Sequence, residues 1–518
     1  MNKFKKITSM LLAIALVISS ICITGGKDVS AATDANQWKT TAITSPKQDS
    51  LVGAGYIDIK WDNTLENVSQ YKVYVDGSLK KTVAPTTSTT MSCEFYTTSV
   101  SAHNAYIIAT LKNGTNVQTG TRRFYVTKKG ICVNTKDMGA AVDPASMNIG
   151  WYYNWGYQSF KDTNYKNTKF YDTEFVPMIW GEPTVEFSQI FSQVKAKGYK
   201  YMLAYNEPDL QWESNISPST MLLRWNNEFI KYKGSMRLGS PAISTAKPLM
   251  ESDDWWAPFW NGLSASAKAN MTFIAVHKYY ENYNEKSAAE FLMLIDETYE
   301  KYKKPIWITE FALWNADKNN AKSNANAQEF LKIVCKGLNE RSYVERYSWF
   351  CPNLKENSAS ASSLYDYDTG ALTTIGKMYA QIGNPAGYKA KTYGVASGTT
   401  VSTTPAACIA KQETTLYNVK AKKKAFKYDI KEVKRAAGYQ IQYGTKKSMK
   451  GAKTKTVKKL TGTVKIKFTK KQKKQIKKKP KKYKTIKYYV RVRAYKTIGG
   501  KNMYYKWSAK EKVKVKTK

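Results

Sequence analysis

Apolar and polar positions change rhythm three times along the 518-residue chain. An apolar stretch from Met10 to Ile23 follows Lys3, Lys5 and Lys6 and ends at Val29-Ser30-Ala31. That order predicts an export leader over 1–31, because the stretch is shorter than the ~20 residues a membrane span needs. From 36 to 129 the pattern is strict alternation in short runs, as in Tyr56-Ile57-Asp58-Ile59-Lys60-Trp61 and Tyr71-Lys72-Val73-Tyr74-Val75. Turns such as Asp76-Gly77 and Asn113-Gly114 separate the runs, which predicts a small all-β domain. From 130 to 387 strand-like runs alternate with amphipathic helices. Strands are expected at 130–133, 148–155, 175–180, 201–205, 237–242, 273–280, 306–311 and 346–350.

Helix ends fall between those strands. Ser217-Pro218 starts one helix expected to run to Gly234, Ser287 and Glu290 read as a capping box, and Gly198 closes a helix marked by Phe187, Ile190, Phe191 and Val194. Eight β/α units in about 250 residues predict a (β/α)8 TIM barrel. A doubly wound open sheet is the alternative, but no Gly-rich phosphate loop follows any strand. A Thr/Ser/Ala-rich linker, 388–410, leads to residues 411–518, where Gly438 to Tyr443 and Lys487 to Tyr495 alternate again. Lys470 to Lys482 reads as a solvated connection between strands. The fold expected is a multidomain chain, a central TIM barrel flanked by N- and C-terminal β-sandwich domains. Both flanks resemble fibronectin type III or immunoglobulin-like modules.

Charge belongs mostly to one module. The chain carries 82 Lys and Arg against 40 Asp and Glu, formally +42, and from Lys411 onward about 39 basic residues face about four acidic ones. A local excess of this size speaks of interaction, not fold. An anionic cell-wall polymer is the expected partner of this domain. Nucleic acid is not, given the leader, and no transmembrane segment remains once the leader is removed. Six cysteines, five of them beyond the leader (Cys93, Cys132, Cys335, Cys351, Cys408), show no metal spacing, and His103 and His277 are the only histidines. Isolated buried thiols are preferred over a Cys335–Cys351 pair, and no metal or cofactor is expected.

Candidate chemistry sits where two strands run out. Leu203-Ala204-Tyr205-Asn206-Glu207-Pro208-Asp209 and Pro305-Ile306-Trp307-Ile308-Thr309-Glu310-Phe311 each end on a glutamate, and barrel sites lie at the C-terminal strand ends. Two such carboxylates meeting across one cleft suit glycoside hydrolysis. His277 and Tyr279 lie two apart, hence on one face, and are expected to orient Glu310 and touch substrate. Trp155, Trp180 and Trp349 fall at strand ends as sugar-stacking candidates. Asp209 is expected to be structural, bonding the loop after Pro208.

The words Gly150-Trp151-Tyr152-Tyr153-Asn154-Trp155, Phe175 to Gly181, Asn206-Glu207-Pro208-Asp209, Gly239-Ser240-Pro241-Ala242, Val276-His277-Lys278-Tyr279 and Trp307 to Ala312 together resemble glycoside hydrolase family 128. The resemblance covers about half the chain. It implies a secreted endo-β-1,3-glucanase that retains configuration, with Glu207 as protonated acid/base, Glu310 as ionised nucleophile and Asn206 as donor to the sugar 2-hydroxyl. Lys278 departs from the aromatic expected there and should point away from the barrel interior. Alternatives are a retaining hydrolase of β-mannan or xylan, or an inactive carbohydrate-binding surface protein.

Overall fold

The structure, a computed structural model, describes residues 35–517 apart from 134–141, 166, 245–253, 281–284, 314–316, 351–359, 394–413, 415, 434–435, 499–500 and 506. The expected leader, residues 394–410 of the expected linker, Cys351 and Cys408 lie outside the described residues. Among the described residues no helix is long and apolar enough to cross a membrane. Cys93, Cys132 and Cys335 are buried and stand outside any disulfide among the described residues. The chain divides into two compact units. One comprises residues 1–46, 58–93 and 104–122, and the other comprises 47–57, 94–103 and 123–518.

In the first unit alternation does what it predicts. Strand Val68–Val75 pairs antiparallel with the strand containing Ala105 to Leu111 and with Ser78–Val83. The inward positions Trp61, Tyr71, Val73, Val75, Ala105, Ile107 and Ala109 are buried. Trp38 joins them from the helix Ala35–Thr41; its indole N–H donates to the Asp62 carbonyl at 2.9 Å and its ring stacks on Tyr71.

The second unit holds a parallel eight-stranded sheet. Its strands are β1 Lys129–Cys132, β2 Trp151–Tyr153, β3 Glu174–Phe175, β4 Tyr201–Met202, β5 Arg237–Gly239, β6 Met271–Tyr280, β7 Ile306–Leu313 and β8 Val344–Trp349. They pair in the order β3-β2-β1-β8-β7-β6-β5-β4. A parallel bridge between Met178 and Leu203, just beyond β3 and β4, joins the two ends of that order. There Ile179 N donates to the Leu203 carbonyl and Leu203 N to that of Pro177. The sheet thus curls round as a TIM-like core. Every residue of β7 and β8 is buried, as strands covered on both faces must be. Aromatic side chains fill the interior, with Trp151, Tyr153, Tyr201, Phe273 and Trp307 packed together.

Helices cover the outside with their expected faces. Phe187–Ala196 buries Phe187, Ile190, Phe191 and Val194, and Gly198 ends that turn at φ +74°. Ser217 caps Pro218–Asn227 through its hydroxyl to Thr220 N (3.1 Å). That helix stops at Asn227, short of the expected Gly234. A 3-10 turn, Phe229–Tyr232, follows it, with Phe229 buried and stacked on Trp225.

Charge is also buried below the site. Lys129, fully buried, donates to the carbonyls of Tyr379 (2.8 Å), Ala380 (3.0 Å) and Ile382 (2.9 Å) and to Asn384 Oδ1 (3.1 Å). It thereby caps the end of helix Thr374–Gln381, whose last carbonyls lack helical partners. Lys129→Met is expected to cost about 3 kcal/mol in urea unfolding, since it takes this donor from the carbonyls of Tyr379 and Ile382, while that of Ala380 keeps Asn148 and Asn384.

Beyond the barrel, residues 416–517 form two antiparallel sheets. One contains Leu416–Lys422, Ala425–Ile430 and Thr461–Lys465; the other contains Gly438–Gly444, Lys453–Val457, Thr485–Ile498, Lys501–Tyr504 and Glu511–Lys516. Phe426, Ile441, Val464, Val490, Val492 and Val515 build a core between them. The segment expected as a solvated connection is in part a helix, Lys470–Lys478. Its start is fixed by a capping box: Thr469 N donates to Gln472 Oε1 at 2.8 Å and Gln472 N to Thr469 Oγ1 at 3.2 Å.

Candidate active site

Glu207 and Glu310 meet at the C-terminal end of the barrel, 8% and 4% exposed. Each arrives there by an irregularity of the backbone. Glu207 follows Asn206, whose N–H donates to the Trp180 carbonyl, while Glu207 N donates to the Ala242 carbonyl, both at 2.8 Å. Tied on both sides, Glu207 is held at φ +39°, a left-handed conformation that a non-glycine residue adopts only when its surroundings impose it.

Glu310 depends on a bulge. Val276 pairs with Ile308 but His277 pairs with Glu310, so β7 carries one extra residue, Thr309, against β6. The register with β8 slips at the same place. Trp307 faces the interior, and without the bulge period-2 alternation would send Glu310 outward. The extra residue re-aims it at His277, a recognised use of bulges beside active sites.

The carboxylates share an elaborate set of partners. His277 Nδ1 lies 2.9 Å from Glu207 Oε1 and 3.5 Å from Glu310 Oε2. Tyr153 Oη and Trp155 Nε1 each donate to Glu310 Oε1 at 3.0 Å, and Tyr279 Oη donates to Oε2. One ligating atom each of Glu207, His277 and Glu310 lie within 4.8 Å of one another. Such a trio has donor types suited to a divalent cation. The three O–H and N–H donors aimed at Glu310 engage both of its oxygens.

Electrostatics separate the groups. Burial pushes Glu207 above the usual carboxylate range; the hydrogen bond and charge of His277 pull it down, and the Glu310 charge adds to the rise. Burial acts downward on His277, but the Glu310 charge and the bond and charge of Glu207 outweigh it, so its net shift is upward. Burial, then the Glu310 charge, keeps Tyr153 and Tyr279 neutral donors far above the ordinary tyrosine value.

The other expected site residues divide. His277 and Tyr279 are at the carboxylates. Asn206 Nδ2 donates to Glu213 Oε2 at 3.2 Å. Trp155, at φ +59°, gives its indole N–H to Glu310, and Trp180 is 40% exposed. Trp349 is a correction: it is fully buried, its ring against Phe311 and Phe330 and its N–H on the Ser362 carbonyl, so it offers no face to a sugar. One residue further on, Phe350 stands edge-on to both Trp155 and Tyr279. Alternation along β8 decides between the two. Lys278 shares the parity of Tyr280, with its ammonium 5.0 Å from that ring's centroid, away from the carboxylates' face. Asp209 is tied to another loop, accepting from Ser244 N (2.9 Å) and Oγ (2.6 Å).

Sequence reasoning missed Tyr153, Glu213, Phe350 and Trp212, the last 77% exposed in the turn before Glu213. Tyr153 was discoverable, standing two before Trp155 on a strand that faces the interior. Because His277 holds Glu207 down, His277→Asn should move the alkaline limb of the kcat/KM–pH profile upward while lowering its plateau. An unmoved limb would remove His277 from control of that proton.

Residues 130–379 match the family model described as glycosyl hydrolase catalytic core. On that match the central region is a glycoside hydrolase catalytic core. The chain is 27% identical over 270 residues to Alkali-sensitive linkage protein 1 of Schizosaccharomyces pombe, a match covering 49% of this chain and 44% of that protein. The chain thus spans under half the length of that curated relative. Among solved structures it is similar to a family 128 subgroup I endo-β-1,3-glucanase of Amycolatopsis mediterranei in complex with laminaritriose, at 29% identity, 49% of this chain, 98% of that one and TM-score 0.40. A subgroup III curdlan-specific exo-β-1,3-glucanase of Blastomyces gilchristii follows at 26% identity, 49% and 98% coverage and TM-score 0.38.

Proposed function

We propose that the central domain hydrolyses β-1,3-glucan by double displacement with retention at the anomeric carbon. The observation that carries this reading is the closeness of Glu207 and Glu310, whose oxygens approach within 4.8 Å. A retaining pair sits about 5–5.5 Å apart, whereas an inverting pair needs about 6.5–9.5 Å to admit a water between carboxylate and sugar. Glu310 attacks the anomeric carbon as the glycosidic C–O bond breaks, and Glu207 gives its proton to the departing oxygen. Glu207, now a base, then takes a proton from water, whose oxygen displaces Glu310 from the sugar. Tyr153, Trp155 and Tyr279 hold the nucleophile through their hydrogen bonds to Glu310, and in this reading Asn206, beside the acid, is the donor to the sugar 2-hydroxyl. The substrate class rests on the six sequence words that resemble family 128. The exposed tryptophans Trp180 and Trp212 are platforms for further sugar units.

The flanks extend the reading. The 1–31 leader supports export, 36–129 and 411–518 are fibronectin III-like sandwiches around the 130–387 catalytic domain, and the lysine-rich module holds the enzyme on an anionic polymer. The test of the catalytic reading is release of reducing ends from a soluble linear β-1,3-glucan beside β-mannan and xylan. Turnover on the β-1,3-glucan alone is expected; preference for either other glycan would overturn the substrate assignment.

A further inference from the structure

No aspartate or glutamate occurs between Glu432 and Glu511, and the helix Lys470–Lys478 lies in the middle of that interval. Lys470, Lys473, Lys474, Lys477 and Lys478 fall at i, i+3, i+4, i+7 and i+8, which is one helical face, and all five are exposed. The opposite face carries Gln472, Gln475 and Ile476, all half-buried. Gln472 Nε2 donates to the Tyr488 hydroxyl at 3.4 Å, fixing that face toward the sheet. The lysine row therefore points outward as a ridge about 12 Å long at 1.5 Å per residue.

Like charges at this spacing repel and weaken a helix by ~0.2–0.5 kcal/mol per pair. This helix has no acidic residue of its own to relieve that repulsion; a row of anions laid along it would. The ridge is all lysine, and it carries no aromatic ring on which a base could stack. Lysine meets phosphate as a point charge and needs no planar fork to do so, and the missing rings leave a polymer's backbone as the part that is held.

We propose that the Lys470–Lys478 ridge docks a linear polymer of regularly spaced phosphates, bound through its backbone alone. The proposal rests on the reading that the C-terminal module holds an anionic polymer, and it names the surface and the anion. Long-chain inorganic polyphosphate is the probe, titrated into the full chain over a salt series. Replacing Lys470, Lys473, Lys474 and Lys477 by glutamine, at exposed positions where glutamine keeps the helix, should weaken binding at least about tenfold and lower the log–log salt slope by about 3. Replacing Lys446, Lys447, Lys450 and Lys453, exposed elsewhere on the module, should change it less than about twofold.

Equal losses in the two variants would leave the anionic-polymer reading standing and overturn the ridge. Absence of polyphosphate binding by the wild type would overturn both. Tighter binding of poly-dT, or equal binding of polygalacturonate, would overturn the choice of anion. Glucan hydrolysis, measured alongside, should be unchanged in both variants.

Discussion

Glu310→Ala is expected to lower turnover of a soluble linear β-1,3-glucan by about 10⁴-fold or more, since in the proposed mechanism it removes the atom that bonds to the sugar. The loss should be chemical, not structural. Thr309 and Phe311 remain buried in β7, and far-ultraviolet circular dichroism should be unchanged. Azide, small enough to enter the space the side chain leaves, should restore cleavage of an activated aryl glycoside and give the α-glycosyl azide. That product has inverted configuration because only one displacement remains. Turnover within tenfold of wild type would remove Glu310 as nucleophile. A β-configured azide would place the attacking group elsewhere.

Glu207→Gln should separate the other role. Hydrolysis of glucan, whose leaving alkoxide needs a proton, is expected to fall about 10³-fold, while an aryl glycoside with an acidic phenol loses far less in its first step. In the wild type the alkaline limb of kcat/KM should lie above the ordinary glutamate range, because burial raises Glu207, and this limb should vanish in the variant. Stability should move the opposite way. A carboxyl raised in the folded state contributes stability that is present below its unfolded pKa and lost as pH rises through the folded one. Neutral glutamine escapes that loss, so Glu207→Gln should melt higher than wild type near pH 7, with the advantage fading below about pH 4. Equal melting temperatures across this range would mean that Glu207 is not held against its ionisation. The left-handed backbone of Glu207 and of Trp155 has the same character, a local cost retained where chemistry is arranged.

Much of this site is visible in one dimension. The glutamates ending the fourth and seventh apolar runs stand out as strand-end carboxylates, and the His277–Tyr279 spacing puts those two on one face by strand rules alone. What escaped were pairs distant in sequence, Tyr153 with Glu310 and Phe350 with Trp155 and Tyr279, and one contact across an irregular turn, Glu213 with Asn206. Trp349 was expected at the sugar because it ends a strand. Its parity turned it toward the helix Ala321–Asn339, where Phe330 covers it. The lysine-rich segment was read as a connection because its charge hid the Thr469–Gln472 box that starts a helix.

The sequence by itself determined the alternation of β and α units, the helix start at Ser217, and which strand ends bear carboxylates. These follow from periodicity, capping and turn chemistry, which act over a few residues. Only the tertiary structure decided that Glu310 faces His277, since this depends on Thr309 being left out of the pairing with both neighbouring strands. It also decided the close approach of the two glutamates and the rise of Glu207 above the usual range. Register, burial and the field of one charge on another exist only once distant segments are packed together.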